Sequence, residues 1–475
     1  YYGDGSNLTN VAASIGNLPD SVSISGFLHV GGILSVTGGA TFASTVTVVG
    51  AATFKDDVSV SGNTNLLGTV TIGGAVSLAS SLSVAGAANF ANTVTIAGAV
   101  SLGSTLSVGG ATNFASTVTV VGAGTFKNNV SVSGNLDVAG NVSVGGTIFA
   151  TGGITFDGDI SVSGDVNIGG TLTVAGATSL ASTLSVGGAT NLLSTLTVTG
   201  ATSLASTLSV GGATNLLSTV TIAGATGFLN TVRVSGAATM ASTLDVAGNT
   251  SVGGTLFVTG AGTFDNNVSV SGNLVVGGTA TVVGAMSVGG ALSVGGATNL
   301  LSTVTVVGAT GFLGSVRVSG AISVSNANVG GTLTVAGAVS LASTLSVGGA
   351  ANFASTVTVA GVGIFKGAVS VSGNLDVAGN VSVGGTIFAT GGITFDGDIS
   401  VSGDVNIGGT LTVGGATSLA STLSVGGATN LLSTVTVAGA TGFLSTVRVS
   451  GAATMASTLD VAGNTSVGGT LFVTG

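Results

Sequence analysis

Apolar and polar residues alternate along this chain in units of six. From Gly26 onward the sequence divides into hexads, beginning GFLHVG, GILSVT and GGATFA. Position 3 of a hexad is mainly Val, Leu, Ile, Ala or Thr and position 5 is mainly Val, Leu, Ile or Phe, whereas positions 1 and 6 are mostly small or polar. Alternation at positions 3 and 5 is the period of a β-strand with one buried face. We therefore predict one short strand, with two inward side chains, in every hexad.

The hexad phase divides the chain into four parts. These are an N-terminal junction segment at 1–25, a shaft of hexads at 26–325, a phase slip at 326–330 (NANVG) and a continuation of the shaft at 331–475. The five-residue unit shifts the count by a single residue. We expect the inward and outward positions to keep their phase on both sides of it.

Strands of about four residues with two-residue corners of small side chains, repeated without hairpin loops, predict a coil and not a meander. Glycine suits such corners because it tolerates positive φ and close stacking. One hexad cannot stand alone, since burying a Val or Leu contributes about 1.5–3 kcal/mol and fixing six backbone residues costs roughly 6–12 kcal/mol. Stacked neighbours must supply the difference, so the array is the folding unit.

The hexad pattern resembles the hexapeptide repeat of left-handed parallel β-helices, of which TSLASTLSVGGATNLLST at 178–195 is a good example. The resemblance covers most of the chain. It implies an all-β fold, a parallel β-helix or β-solenoid of hexapeptide repeats.

The number of hexads in each turn of the coil decides the assembly. A single-chain, three-sided coil stacks each hexad on the third one after it, but Thr-Val-Thr begins at Thr45, Thr69, Thr93 and Thr117, a spacing of four hexads, and every second hexad is of a similar type. We take this recurrence to favour three identical intertwined chains, in which each hexad stacks on the next hexad of a neighbouring chain. The prediction is a homotrimeric fibre, and a flat two-sided coil with two hexads in each turn is the competing arrangement.

Composition excludes several classes of function. The chain has 475 residues, with 85 glycines, one proline, no cysteine and only 4% charged residues, against roughly 25% in a typical soluble domain. Six basic residues and a formal net charge of −9 leave no basic patch for nucleic acid or for an anionic membrane surface. Polar residues and glycine interrupt every apolar run before it is long enough for a membrane-spanning helix, which needs about 18 residues. We expect neither nucleic-acid binding nor membrane insertion.

Two long duplications indicate a role in setting length. The sequence that begins GNLDVAGNVSVGG at 134 returns at 373, and the sequence that begins GATGFLNTVRVSG at 224 returns nearly unchanged at 439. Both pairs of copies keep the hexad phase. A rod tolerates tandem extension of this kind, whereas an active site does not.

The residues that could support chemistry are few and scattered. His29 is the single histidine, and its place at position 4 of a hexad predicts an outward side chain with no partner for catalysis. Asp157, Asp159 and Asp165 supply oxygen ligands of the kind that calcium takes, but they match neither the EF-hand loop nor the glycine-aspartate nonapeptide pattern. Their copies are Asp396, Asp398 and Asp404. We interpret these aspartates as solvated corners and predict no catalytic, cofactor-binding or metal-binding residue; the chain is expected not to be an enzyme.

The six basic residues recur in two sequence contexts. Lys55, Lys127 and Lys366 each follow a phenylalanine, and Arg233, Arg317 and Arg448 each sit in Val-Arg-Val. All are expected at outward positions, where they aid solubility or lateral spacing.

An ice-binding solenoid is an alternative of a different class, because outward Thr-x-Thr pairs resemble the threonine arrays of insect ice-binding proteins. Such arrays need one continuous face. In a coil of three hexads per turn, pairs spaced by four hexads would move from face to face.

The segment YYGDGSNLTNV, followed by tandem units such as SVSGNLDVAGNVSVGGT, resembles the tail-fibre and other virion fibre proteins of marine tailed phages, the cyanophage type especially. The resemblance implies a trimeric fibre that extends from a virion toward a host surface. Self-association would be its main interaction, and other virion proteins and a host receptor would be bound through parts not in this chain. An extracellular filament or adhesin stalk at a cell surface is the alternative.

Overall fold

The computed structural model describes residues 15–18 and 22–474, where all regular secondary structure is β-strand. The YYGDGSNLTNV motif lies outside the described residues. The chain divides into two compact units, Tyr1–Ala241 and Ser242–Gly475. Each is a parallel β-solenoid of hexads, and together they hold about 25 turns. The predicted fold class is confirmed.

In the first unit the strands follow the predicted hexads. β1 is Ile15–Leu18 and β2 is Val22–Ile24. From β3 (Leu28–Val30) to β38 (Ala238–Met240), each strand is three residues long and occupies positions 3 to 5 of successive hexads. Strands are one residue shorter than expected, because positions 6, 1 and 2 together form the corner. β2 pairs with the strand at Ala40–Phe42 in the common register, so the solenoid includes part of the segment 1–25.

The second unit has the same organisation with one irregular turn. One three-residue strand per hexad runs from β39 (Leu244–Val246) to β48 (Thr298–Leu300) and again from β52 (Leu333–Val335) to β75 (Leu471–Val473). Between these series lie β49 (Val304–Phe312), β50 (Val316–Val318) and β51 (Ile322–Val329).

Each regular strand pairs in parallel with the strand three hexads later in the same chain. Val70 lies beside Ala88 and Ile72 beside Phe90, and the ladder bonds are of normal length, such as 2.9 Å from the Val70 amide to the Ala87 carbonyl. Three hexads therefore complete one turn, the arrangement that the four-hexad recurrence disfavours. The described residues do not form the flat two-sided coil. Whether three chains associate stays a prediction.

The interior of each unit is filled by the side chains at positions 3 and 5, as predicted. In most regular strands both of these residues are buried and the residue between them faces outward. The largest inward side chains are separated by smaller ones: Phe114 stacks between Ile96 and Val132. Removing this apolar surface from water in every layer is the main force that holds the solenoid together.

The phase slip is absorbed in one corner of the second unit. Val306 pairs with Val324, three hexads later, but Ala309 pairs with Asn326, one residue short of three hexads. The carbonyl of Asn326 accepts a 2.7 Å hydrogen bond from the Thr310 hydroxyl. This turn is thus one residue shorter than the others, and the inward and outward positions keep their phase beyond it, as the sequence predicts.

Candidate functional site

The surface that the solenoid offers to partners is uncharged over most of its area. Ser, Thr and Asn occupy most outward strand positions, and small residues occupy most corners. His29 is exposed between buried Leu28 and Val30, which confirms its outward orientation. Among the described residues, no three His, Cys, Asp or Glu side chains come together as a group that could hold a metal ion.

The three aspartates considered for calcium lie at two successive corners. Asp157 and Asp159 flank Gly158 at one corner, and Asp165 follows Gly164 at the next. The side chains of Asp159 and Asp165 both accept hydrogen bonds from the next layer of the solenoid. Asp159 Oδ1 accepts a 2.7 Å hydrogen bond from the amide of Ala177. Asp165 therefore does not join the other two around a common point.

Asp165 is held by three donors of the next layer. Its Oδ1 accepts hydrogen bonds from the Ser182 hydroxyl, the Thr183 hydroxyl at 2.7 Å and the Thr183 amide at 3.1 Å. The Ser182 hydroxyl is the largest cause that lowers the pKa of Asp165, followed by the two Thr183 donors. The copy at Asp404 has the same partners in Ser421 and Thr422, and its pKa is lowered for the same reasons.

These contacts are examples of a recurring corner hydrogen bond that the sequence analysis did not predict. At many corners, an Asn or Asp at position 2 accepts a hydrogen bond on Oδ1 from the backbone amide one turn later, at 2.7 to 3.2 Å. The acceptors are Asp57, Asn129, Asn135, Asn141, Asp159, Asp165, Asn249, Asn267, Asn273, Asn326, Asn374, Asn380, Asp398 and Asp404. The sequence signal that could have predicted these hydrogen bonds is the placement of Asn and Asp at position 2. The aspartates therefore act as corner ties, side chains that join one layer to the next by a hydrogen bond.

The basic residues occupy two kinds of position. All six are exposed, as predicted. The lysines lie at corners, and the next layer presents glycine at the same place: Gly73 beyond Lys55, Gly145 beyond Lys127 and Gly384 beyond Lys366.

The arginines lie on strands, and each is in register with an asparagine of the preceding layer. Asn215 pairs with Arg233, Asn299 with Arg317 and Asn430 with Arg448. The three arginines thus share one local environment, a strand position beside an asparagine. The lysines lie instead at corners beside a glycine.

The Thr-Val-Thr pairs are distributed over the three faces. Those at Thr45, Thr69 and Thr93 belong to strands beginning at Val46, Val70 and Val94, and no two of these strands pair with each other. The pair at Thr117 returns to the face of Thr45 only four turns further on. The flat threonine face that ice binding needs is not formed by this series.

One edge of the first unit carries a column of exposed apolar side chains, which we call the apolar edge. Its large members are Val49, Leu67, Val121, Leu193 and Leu229, with exposed fractions of 45% to 73%. They are separated by whole numbers of turns and therefore share one corner of the coil. The remaining positions of this column, from residue 85 to 211, are Ala or Gly except for Asp157. Apolar side chains that are exposed together often mark an interaction surface.

Comparison with protein-family models, with curated proteins and with solved structures finds no significant match. No helix among the described residues has the length and apolar character needed to span a bilayer. The geometry of the solenoid itself fits a structural shaft.

Proposed function

We propose that the chain is the structural shaft of a fibre, and that this fibre is a tail fibre or another fibre of a virion. The observation that carries the shaft assignment is the three-hexad register, which is kept throughout each unit except at the one shortened turn of the second unit. Each regular hexad pairs only with the hexads one turn before and after it, so layers can be added without altering the others. Such an array provides length and stiffness.

The virion assignment is supported by the resemblance of YYGDGSNLTNV and of the tandem SVSGNLDVAGNVSVGGT units to virion fibre proteins. The near absence of charge and the scattering of titratable groups along the solenoid support a structural role over a catalytic one. The duplications support it further, since the corner contacts of Asp159 recur at the same 2.7 Å in its copy, Asp398.

A homotrimer is part of this proposal. The apolar edge supplies a surface along which copies of the chain can associate side by side, and it spans eleven layers of the first unit, roughly 50 Å at about 4.8 Å per layer. Every layer of a second copy repeats the same spacing, so its side chains can interdigitate without change of register.

Electron microscopy combined with light scattering of the purified protein tests the proposal. Each unit should appear as a rod that lengthens by about 4.8 Å for every turn, and the mass of the protein should be three times the 44.2 kDa of the chain. A monomeric mass would overturn the homotrimer. Particles without rod-shaped units would overturn the shaft.

The virion assignment is tested separately, by probing purified phage particles from the source material with an antibody raised against the shaft. Labelling along fibres supports it. Labelling confined to host cell surfaces would replace it with an adhesin stalk or cellular filament.

A further inference from the structure

We propose that each arginine, with the asparagine and threonine in register with it in the two preceding layers, forms a binding site for the carboxylate of an acidic saccharide. This assignment goes beyond the shaft function and does not depend on it. In the first unit the site is a surface groove, in which Thr197, Asn215, Leu217, Arg233 and Ser235 line a concavity of about 260 Å³.

The groove is built by three consecutive layers of one face. Thr197 pairs with Asn215 and Asn215 pairs with Arg233, so a hydroxyl, an amide and a guanidinium stand in a row at about 4.8 Å intervals. Leu217, with 52% of its surface exposed, forms the apolar wall at the adjoining corner.

The guanidinium is available to a ligand. Arg233 forms no hydrogen bond or ion pair with any described residue, and its neighbour in register, Asn215, is uncharged. A guanidinium presents several donors in a planar fork that matches a carboxylate in two parallel hydrogen bonds. Unlike a lysine ammonium, it therefore selects for the shape of the anion as well as its charge.

The same row occurs at all three arginines of the chain. In the second unit, Thr281, Asn299 and Arg317 are in register, and so are Thr412, Asn430 and Arg448. An exposed leucine accompanies each row, Leu301 at 46% and Leu432 at 52%. All three arginines stand in copies of one sequence unit, from ATNLLSTVT to VRVSGA, so each copy of this unit brings the asparagine, the leucine and the arginine together again.

The lining indicates the class of ligand. Each row carries one positive charge, which suits a single carboxylate and not the dense charge of a nucleic acid. Hydroxyl and amide groups can both donate and accept hydrogen bonds, which matches the hydroxyls of a sugar, and the leucine can cover its apolar C–H surface. A hexuronic acid combines these features.

The direct test is equilibrium binding of a fluorescently labelled tetragalacturonate, measured by anisotropy, with a neutral tetragalactoside as the uncharged probe. Saturable binding of the acidic probe alone is expected. The triple variant Arg233→Gln, Arg317→Gln, Arg448→Gln should bind at least about tenfold more weakly, because each site loses a charge-assisted hydrogen bond.

The matched control is the triple variant Lys55→Gln, Lys127→Gln, Lys366→Gln, which makes the same change in net charge at corners flanked by glycine. It should bind like the wild type, and both variants should keep the wild-type circular dichroism spectrum. Equal loss in the two variants, or no saturable binding by the wild type, would show that the rows are not sites. Full displacement of the probe by an equal concentration of inorganic phosphate would overturn the saccharide assignment.

Discussion

Phe42 and Phe54 meet edge to face inside the first unit, with ring centroids 6.4 Å apart and ring planes at 74°. Within their ladders each has aliphatic neighbours: Phe42 stacks between Ile24 and Val60, and Phe54 between Val36 and Ile72. These two large side chains therefore lie on different ladders and do not stack on one another along a single one. The edge-to-face contact adds about 0.5–1.5 kcal/mol beyond the area that the rings bury.

The interior also balances large and small side chains within a strand, and Gly124 provides a test. A Cβ at Gly124 would lie 3.1 Å from the ring of Phe126, two residues on. We expect Gly124→Val to reduce the stability of the surrounding turns by about 1–3 kcal/mol through overpacking, measured as a lower urea midpoint and as faster amide exchange in those turns. The double variant Gly124→Val, Phe126→Val should recover most of the loss, because it converts the strand to the Val-Thr-Val type of Val118–Val120. A single variant as stable as the wild type would contradict this packing.

For the inward threonines we predict that a substitution raises the stability of the fold. Thr190 is 1% exposed, and its hydroxyl has no hydrogen-bond partner. We expect Thr190→Val to stabilise the first unit by about 1 kcal/mol, because it removes an unsatisfied polar group without changing the shape of the side chain. The thermal midpoint should rise in the variant. Thr221→Val, at an outward position, is the control and should give no such gain; a fall in stability of Thr190→Val would indicate that its hydroxyl is satisfied.

The corner tie of Asp165 predicts a dependence on pH. Because the Ser182 and Thr183 donors lower the pKa of Asp165 below its ordinary value of 3.8, this carboxylate stabilises the folded state fully above the unfolded pKa. The contribution is lost as pH falls through the lower, folded pKa. Thermal unfolding between pH 7 and pH 2 should show that Asp165→Ala lowers the midpoint at neutral pH and that its difference from the wild type shrinks in acid. Asp137→Ala, on an outward strand position, serves as the control. A difference that persists unchanged at the lowest pH would rule out the carboxylate as its source.

The apolar edge predicts how copies of the chain associate. The apolar edge carries one charge, Asp157. Replacing Leu193 and Leu229 by Asp adds two more to a surface that association would bury, and unpaired buried charges are costly. We expect the double variant to shift the mass in light scattering from trimer to monomer while its circular dichroism spectrum stays that of the wild type. Leu217→Asp, on another edge, should leave the mass unchanged. A trimer that survives the double variant would place the contact elsewhere.

The sequence predicts the strands, their inward positions and the preserved phase, because each depends on the residues of a single hexad. The size of a turn depends instead on how many hexads close a ring, and similarity between hexads does not measure this. Thr190 and Leu192 stack on Leu172 and Val174 in the ladder, so unlike hexads are neighbours. Because every second hexad is similar, a turn of three hexads stacks each hexad on one of the other type. A turn of two hexads would stack each hexad on one of its own type.

The site residues were recognised only in part for a related reason. Arg233 was singled out by its Val-Arg-Val context, but its asparagine neighbour lies a full turn away along the chain. The same separation hides the tie between Asp165 and Thr183. Once the turn is known, reading the sequence in rows of three hexads brings both into view.

The shortened turn has a consequence for how such a chain can change. Because a residue missing at the corner of Asn326 shifts no strand beyond it, an insertion or deletion at a corner is corrected within one turn. Unequal recombination between similar hexads can therefore join two copies imperfectly and still yield an intact interior. In this architecture the length of the protein is a heritable variable that can change in small steps.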